Sequence, residues 1–287
     1  MNTNINMNNM NNSQLGYYLA GLIEGDGNIW TQKTIRSSKN RLKNPQIMFT
    51  FNKKEKPLYL CIKEIFGTGS FYEIKSTNAC RYTISEKYTL IKLINLINGK
   101  FRTPKIEYLY KAIDYINIVH NTSINKLPLD NSNLLSSPWL AGMTDSDGNF
   151  HISLSGVYGL TGSTHKGRVI CSFTLKQRMI DNYTGLSCIP FMTEIANLFE
   201  CKINYKGINE IVFVAQANNK HHLVKSYFKK FPLMSSKYLN YLCFLQGLNF
   251  LGRRLTDKEI FEIQSIKNSM NNKRTYYNWD HLNNFYK

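Results

Sequence analysis

Leu15, Tyr18, Leu19 and Leu22 fall at i, i+3, i+4 and i+7, the spacing of one apolar helix face, so Ser13 is read as the cap of a helix running to about Glu24. A second helix of the same kind opens with Ser137 as its cap and Pro138 at the first helical position, where a missing N–H costs nothing. After each helix the apolar period changes to two. Asn28 to Arg36 alternates, Pro45 to Lys53 places Ile47, Phe49 and Phe51 on one face, and Phe71 to Ile74 and Tyr82 to Ile84 read as shorter strands. A helix from about Leu58 to Phe66 stops at Gly67, and another follows Thr103-Pro104 and runs to about Ile118. The order then recurs. His151 to Ser155 and Arg168 to Leu175 read as strands, Ile189 to Phe199 as a helix, Lys202 to Tyr205 and Ile211 to Ala215 as strands, and a helix starts near Ser235. Thr256 and Glu259 stand at capping-box spacing ahead of Ile260, Ile263 and Ile266, which adds one more helix. Each half thus reads helix, two strands, helix, two strands, helix, an α+β arrangement with antiparallel sheets.

The recurrence is written into the residues themselves. Leu-Ala-Gly-Leu-Ile-Glu-Gly-Asp-Gly-Asn from Leu19 to Asn28 returns as Leu-Ala-Gly-Met-Thr-Asp-Ser-Asp-Gly-Asn from Leu140 to Asn149. Six of the ten positions are identical and the copies lie 121 residues apart, the length of a small domain, so the chain is read as a duplicated domain. The expected division is a disordered Asn-rich tail over residues 1–12, a first domain over 13–120, an Asn-, Ser- and Pro-rich linker over 121–136 and a second domain over 137–287. Ala20-Gly21 and Ala141-Gly142 sit inside the two repeated helices, where each Gly costs about 1 kcal/mol relative to Ala. Close packing of the two helices offsets that cost, and it sets Asp26 beside Asp147 at their carboxyl ends.

Composition and charge narrow the partner. The 287 residues carry 36 Lys plus Arg against 19 Asp plus Glu, a net charge of +17. The surplus is shared, with 18 basic against 8 acidic residues up to Lys126 and 18 against 11 beyond it, as expected for a polyanion gripped by both halves. Six cysteines show no Cys-x-x-Cys spacing and read as buried free thiols of a soluble protein in a reducing compartment. No apolar run approaches the roughly 18 residues of a membrane span, so no membrane partner is expected. With Ile47, Phe49 and Phe51 inward, Gln46, Met48 and Thr50 face out, and with Cys171, Phe173 and Leu175 inward, Ser172 and Thr174 do. Gln32, Thr34, Arg36, Arg81, Thr83, Ser153, Ser155, Arg168, Lys202 and Asn204 complete an outward set of amides, hydroxyls and bases. Such a surface suits the base edges and phosphates of a DNA major groove.

Cleaving a phosphodiester requires an in-line water, neutralised charge at phosphorus and a stabilised leaving oxygen, all of which hard divalent ions on a few carboxylates supply. Asp26 and Asp147 are the candidate ligands for Mg²⁺, helped by the backbone carbonyls of Gly25 and Ser146. A calcium loop starting at Asp145 fails, since Phe150 stands where Gly is needed and Gly156 where Glu is needed. Laying the halves over each other pairs Lys53 with Gln177 and Lys105 with Lys237. Both Lys105 and Lys237 follow a helix-cap signal, where a cation opposes the helix dipole. Two symmetric occurrences suggest a use in placing the attacking water or stabilising charge on the phosphate.

The doubled motif, Leu19 to Gly27 and Leu140 to Gly148, resembles the signature of LAGLIDADG homing endonucleases in their two-motif, single-chain form. The resemblance runs from Ser13 to Met270. It implies two pseudo-symmetric αββαββα domains with motif helices packed at the interface and saddle-like sheets laid in successive major grooves. It also implies Mg²⁺-dependent cutting of both strands of a long, weakly palindromic site with short 3′ overhangs, with Mn²⁺ as a substitute and Ca²⁺ bound without cleavage. By position, Asp26 and Asp147 match the metal-binding acids, Gln177 and Lys53 the polar residue near the metals, and Lys105 and Lys237 the basic residue. Thr144 stands where the signature prefers an apolar side chain, and Lys53 where it prefers Gln or another polar group. A monomer is expected, and an organellar, mainly mitochondrial source fits the excess of residues with AT-rich codons. The alternative is an intron-encoded RNA maturase, which would bind its own intron RNA with or without cutting DNA.

Overall fold

The apolar positions picked out by period close into two cores of the same design, and a computed structural model describes them over residues 12–155, 168–216, 220–252 and 254–284. The first half comprises α1 (Asn12–Gly25), β1 (Gly27–Trp30), β2 (Gln46–Asn52), α2 (Lys56–Phe66), β3 (Ser70–Ile74), β4 (Ala79–Ile84), α3 (Lys87–Ile97) and α4 (Ile106–His120). The second comprises α5 (Trp139–Asp147), β5 (Gly148–Ser155), β6 (Arg168–Arg178), α6 (Ile189–Leu198), β7 (Ile203–Lys206), β8 (Glu210–Ala215), α7 (His221–Lys230), α8 (Lys237–Leu248) and α9 (Asp257–Asn268). Each half forms one antiparallel four-stranded sheet, in the order β1-β2-β4-β3 and β5-β6-β8-β7. The α+β fold of two related domains expected from the sequence is the fold observed.

Alternation decides which sheet face is apolar. Ile47, Phe49, Tyr82 and Ile84 are fully buried under the helices of the first half, and Phe150, Phe173 and Phe213 under those of the second. The rings of Phe150 and Phe173 stack at 5.0 Å, and Phe228 of α7 meets Phe173 edge-on at 5.3 Å. Burying each such ring adds roughly 1.5–3 kcal/mol. All six cysteines are free, and all but the half-buried Cys201 are buried. Among the described residues no helix is long and apolar enough to cross a membrane.

The helices α1 and α5 cross at the centre of the molecule. A Cβ added to Gly21 would lie 2.0 Å from the Trp139 carbonyl, and one added to Gly142 would lie 2.0 Å from the Tyr18 carbonyl. The expected contact between repeated helices is therefore made backbone to backbone, and it leaves no volume for a side chain.

Several local expectations differ from the structure. The strand expected from Asn28 to Arg36 ends at Trp30, because Gln32 turns inward and its amide donates to the Asn44 carbonyl. Residues 31–45 form an excursion closed by a bridge between Arg36 and Leu42. Ser13 lies within α1 and not ahead of it. Pro138 is the cap position of α5, and the Ser137 hydroxyl is buried without a hydrogen-bond partner among the described residues, so it does not cap the helix. Two helices were not anticipated, α3 and α7, each of which follows the last strand of its half. The Thr256–Glu259 capping box is present as expected. The tail expected over residues 1–12 lies, except for Asn12, outside the described residues. The segment after α4 is tied along the first half, with Asp130 N donating to Phe101 O at 2.8 Å and Leu127 N to Asn98 Oδ1 at 3.2 Å.

Replacing Gly142 with Val forces side-chain atoms onto the Tyr18 backbone, which has no room to retreat. We expect a loss of about 3 kcal/mol and a thermal midpoint at least about 5 °C lower, read by calorimetry. An exposed glycine, Gly207, has open space beside it and φ of 66°, so Gly207→Asn serves as the control and leaves the midpoint near that of the parent.

Candidate active site

The carboxyl ends of α1 and α5 meet in one cleft. At Gly25 an added Cβ would lie 2.2 Å from Ser146 Cβ and 3.1 Å from Asp147 Oδ2, so the ends of the two helices are in direct contact and their acids share a common space. Asp26 follows α1 but still donates its N–H to Leu22 O at 3.2 Å, and Asp147 is the last residue of α5. Burial, followed by the charge of Asp147, pushes the Asp26 carboxyl up to about 6, while Lys237 and Lys105 pull it back. Burial also raises Asp147, against the charge of Lys237 and a 2.7 Å hydrogen bond from Gln177 Nε2.

Each of the two lysines folds back over the end of its own motif helix. Lys105 Nζ donates to the carbonyls of Ile23, Gly25 and Gly27 at 3.2, 2.7 and 2.9 Å. Lys237 Nζ donates to Thr144 O at 3.1 Å and to Ser146 O. Electrostatically they cross over. The acid that most favours the charged form of Lys105 is Asp147, and for Lys237 it is Asp26, although burial lowers both lysines overall. The Gly25 and Ser146 carbonyls, expected beside a metal, thus accept from ammonium groups here. A carbonyl oxygen has two lone pairs, so this does not remove it as a donor.

Sequence reasoning missed the acids two residues earlier. Glu24 accepts from the Arg102 and Thr103 amides at 2.8 and 2.6 Å and from Trp139 Nε1 at 2.5 Å. Its counterpart Asp145 accepts from the Met234 amide at 2.8 Å, from Ser235 Oγ at 2.5 Å and from Tyr18 OH at 2.9 Å. Tyr18 and Trp139 occupy the same place in the repeat, so each motif helix donates one hydrogen bond to the acid of the other. Burial pushes Glu24 up to about 7 and Asp145 to about 6. The signal was visible: both copies carry an acid two residues before the first candidate ligand, on a helix otherwise apolar at that depth.

Of the pair matched as polar neighbours, Gln177 reaches Asp147 but Lys53 goes elsewhere. Lys53 turns to solvent and pairs with Glu73 at 2.8 Å. Register gives the reason. Gly27 pairs with Phe49 and Gly148 with Leu175, so the position equivalent to Gln177 is Phe51, whose ring stacks on Tyr59 at 3.7 Å. The two acids therefore have unequal surroundings. The Thr144 hydroxyl is buried with no hydrogen-bond partner among the described residues.

On the outer faces, Thr34, Arg36, Thr50, Arg81, Ser155, Arg168, Lys202 and Asn204 are exposed, and Gln46, Met48, Thr83, Ser153 and Thr174 are half-buried. Across each ladder they line up as pairs, such as Met48 with Thr83, Thr50 with Arg81 and Ser155 with Arg168. Gln32 lies off the strand and is buried at 8% exposure, which takes it out of the outward set, whereas Ser172 keeps the outward register opposite His151 but is likewise only 8% exposed. The same register adds Asn28, Trp30, Tyr72, His151 and Lys176 to it.

The donor set suits a small hard cation: the carboxylates of Asp26 and Asp147 at the adjoining helix ends, with backbone carbonyls beside them. Among the described residues no group of three or more His, Cys, Asp or Glu side chains gathers as a metal cage.

The family model described as "LAGLIDADG endonuclease" matches residues 19–117 and 140–248. "Intron-encoded DNA endonuclease aI3" of Saccharomyces cerevisiae is 31% identical over 318 residues, covering 96% of this chain and 74% of that protein. "Uncharacterized cox1 intron-2 37.2 kDa protein" of Schizosaccharomyces pombe is 28% identical over 81% of this chain and 64% of its own length. The solved structure of the I-LtrWI LAGLIDADG homing endonuclease bound to target DNA has the same fold, with a TM-score of 0.68 over 92% of this chain and 100% of that one at 18% identity.

A raised carboxyl makes the native state bind more protons than the unfolded chain, so stability is greatest below the unfolded value and falls as pH rises through the folded one. For Asp26 that window runs from 3.8 to about 6. Replacing Asp26 with Asn removes this dependence and the repulsion from Asp147. Because the side chain reaches solvent, we expect a gain of only about 1 kcal/mol above pH 6, seen as a higher thermal midpoint at pH 7.5 and little change at pH 4.

Proposed function

The chain belongs to the LAGLIDADG endonuclease family, and on that premise we propose that it cuts both strands of a long, weakly palindromic DNA site, leaving short 3′ overhangs. The observation that carries this reading is the meeting of Asp26 and Asp147 at the carboxyl ends of the two motif helices, with Lys105 and Lys237 each folded over the end of its own motif helix. Two scissile phosphates on opposite strands call for two acids and two cations related by a twofold axis, and the duplicated halves supply that relation within a single chain. A monomer is therefore sufficient.

Asp26 and Asp147 would hold Mg²⁺, with Mn²⁺ as a substitute and Ca²⁺ binding without turnover. When bound, the ion supplies charge neutralisation at phosphorus and a lowered pKa for coordinated water. The lysines place a cation in a partly desolvated cleft, where it stabilises charge developing on the phosphate more than it would in water. Glu24 and Asp145 hold the segments that deliver those lysines. Gln177 holds Asp147 in one orientation. The outward faces of the two sheets supply contacts to base edges through Thr50, Arg81, Ser155 and Arg168 and to the backbone through exposed lysines. The net charge of +17 gives binding a steep salt dependence. An organellar, mitochondrial source is part of this reading, supported by the composition and by a relative named for a cox1 intron. The endonuclease reading stands ahead of an RNA maturase because both acids and both lysines are assembled.

Incubating the protein with a randomised duplex library and Mg²⁺, then sequencing the cut ends, reports activity, site and overhang together. Asp26→Asn or Asp147→Asn is expected to abolish cutting while DNA affinity stays within about threefold, since the acids touch the reacting centre and not the grooves. Cutting by the double variant would overturn the assignment. Lys105→Met is expected to slow the single-turnover rate about 100-fold or more with little change in binding, and a pure loss of affinity would make Lys105 a phosphate contact only.

A further inference from the structure

Lys237 sits at the end of a segment, Met234 to Lys237, that reaches the cleft from the second half. Its own half holds the start of that segment through Asp145, which takes the Met234 amide and the Ser235 hydroxyl. The residue directly before Lys237 is held from the other half. Glu55, which ends the short 3-10 turn after β2, accepts from the Ser236 amide at 2.8 Å through Oε2 and from the Ser236 hydroxyl through Oε1. Ser236 is 3% exposed, and Glu55 lines one cavity of about 340 Å³ together with Asp26 and Lys237. Both oxygens of one carboxylate are thus committed to one residue across the domain boundary, which fixes direction as well as distance.

The opposite lysine is held differently. Arg102, three residues before Lys105, is buried and pairs with Asp130 and with Glu194, while its guanidinium lies 5.8 Å from the Trp139 ring centre. Asp181 holds the place in the second half that Glu55 holds in the first. It borders the cavity beside Lys105, with Tyr108 and Tyr183. Among the described residues no hydrogen bond joins Asp181 to the Thr103–Lys105 segment in the way that Glu55 joins Ser236.

We infer that Glu55 is a positioning residue for Lys237, acting across the domain boundary through Ser236, and that it serves the cutting of one DNA strand only. This rests on the endonuclease reading above. Glu55 acts through Ser236, to which both its oxygens are hydrogen-bonded. It fixes where the Lys237 ammonium stands relative to Asp26. Removing it strips Ser236 of both its acceptors, and the supports that remain, Asp145 on Met234 and Ser235 and His281 on Met234 and Tyr238, do not hold Ser236 itself, so the ammonium samples positions away from the phosphate it serves. The strand facing Lys105 loses nothing, because its lysine hangs from Glu24 and Arg102.

The test follows both strands of the same duplex with a different label on each, in single turnover with saturating protein and Mg²⁺. Glu55→Ala is expected to slow one strand about 10-fold or more, to leave the other within about twofold and to accumulate nicked duplex. Lys237→Met identifies the strand, which is expected to be the same one, whereas Lys105→Met slows the other. Glu55→Gln keeps an acceptor for the Ser236 amide and a donor for its hydroxyl, so it restores the rate to within about threefold. Hydrogen exchange of residues 234–239, read without any substrate, rises in Glu55→Ala and returns to the parent level in Glu55→Gln. Equal slowing of both strands, an unchanged exchange pattern or failure of Gln to rescue would each overturn the inference. A parent protein that cuts neither strand would overturn the endonuclease reading, and a parent that cuts both while Glu55→Ala slows neither would overturn this inference alone.

Discussion

Everything in the cleft depends on two backbones touching. With Gly21 against the Trp139 carbonyl and Gly142 against the Tyr18 carbonyl, α1 and α5 approach as closely as helices without intervening side chains can. That approach sets their carboxyl ends side by side and brings Asp26 within reach of the charge of Asp147. The repulsion is built in, and it appears as an Asp26 carboxyl raised by burial and by Asp147. A fold shaped for stability alone would not place two acids there.

The earlier acids of the repeat make the arrangement rigid. Glu24 and Asp145 are buried carboxylates, and burying one is costly unless donors surround it. Donors surround each, and in both cases the set combines the segment that brings in a lysine with an aromatic side chain from the opposite motif helix. The helix crossing and the placement of the lysines are therefore one construction. Moving the helices apart would strip Glu24 of Trp139 and Asp145 of Tyr18, exposing buried charge to an apolar interior.

Much of this was legible in the sequence, and what escaped has identifiable causes. The doubled motif gave the helix crossing because a glycine in a helix interior needs a reason. Ile47, Phe49 and Phe51 gave the orientation of β2 because period two leaves only two faces. The helix α3 was missed because its cap is Glu86, which accepts from the Tyr88 and Thr89 amides at 3.0 and 2.8 Å, and glutamate is an uncommon cap. Pairing Lys53 with Gln177 rested on counting residues. Register counts differently: β6 runs to Arg178 and β2 stops at Asn52, so Lys53 falls beyond the strand and onto Glu73. Gln32 alternates correctly on paper, but no strand continues past Trp30 to hold it outward. Glu24 and Asp145 hold the same place in the two motif copies, yet partners on a loop some 80 to 90 residues away leave no local trace.

The halves keep their symmetry where backbone meets backbone and lose it where side chains do the holding. Lys105 hangs from a segment whose Arg102 is pinned by Asp130 of the connecting chain and by Glu194 of the other half. The segment carrying Lys237 is braced by the far end of the chain instead, with His281 Nε2 against the Met234 carbonyl at 3.1 Å and its ring stacked on Tyr238 at 4.5 Å. Among the described residues these braces have no counterpart on the opposite side, since Asp130 lies on the connection after α4 and His281 on the extension after α9. Duplication supplied two equal sites, and the unequal lengths of chain around them supplied different supports. A single-chain pseudo-dimer can in this way tune the geometry at one phosphate without disturbing the other, which a true homodimer, changing both sites with every substitution, cannot do.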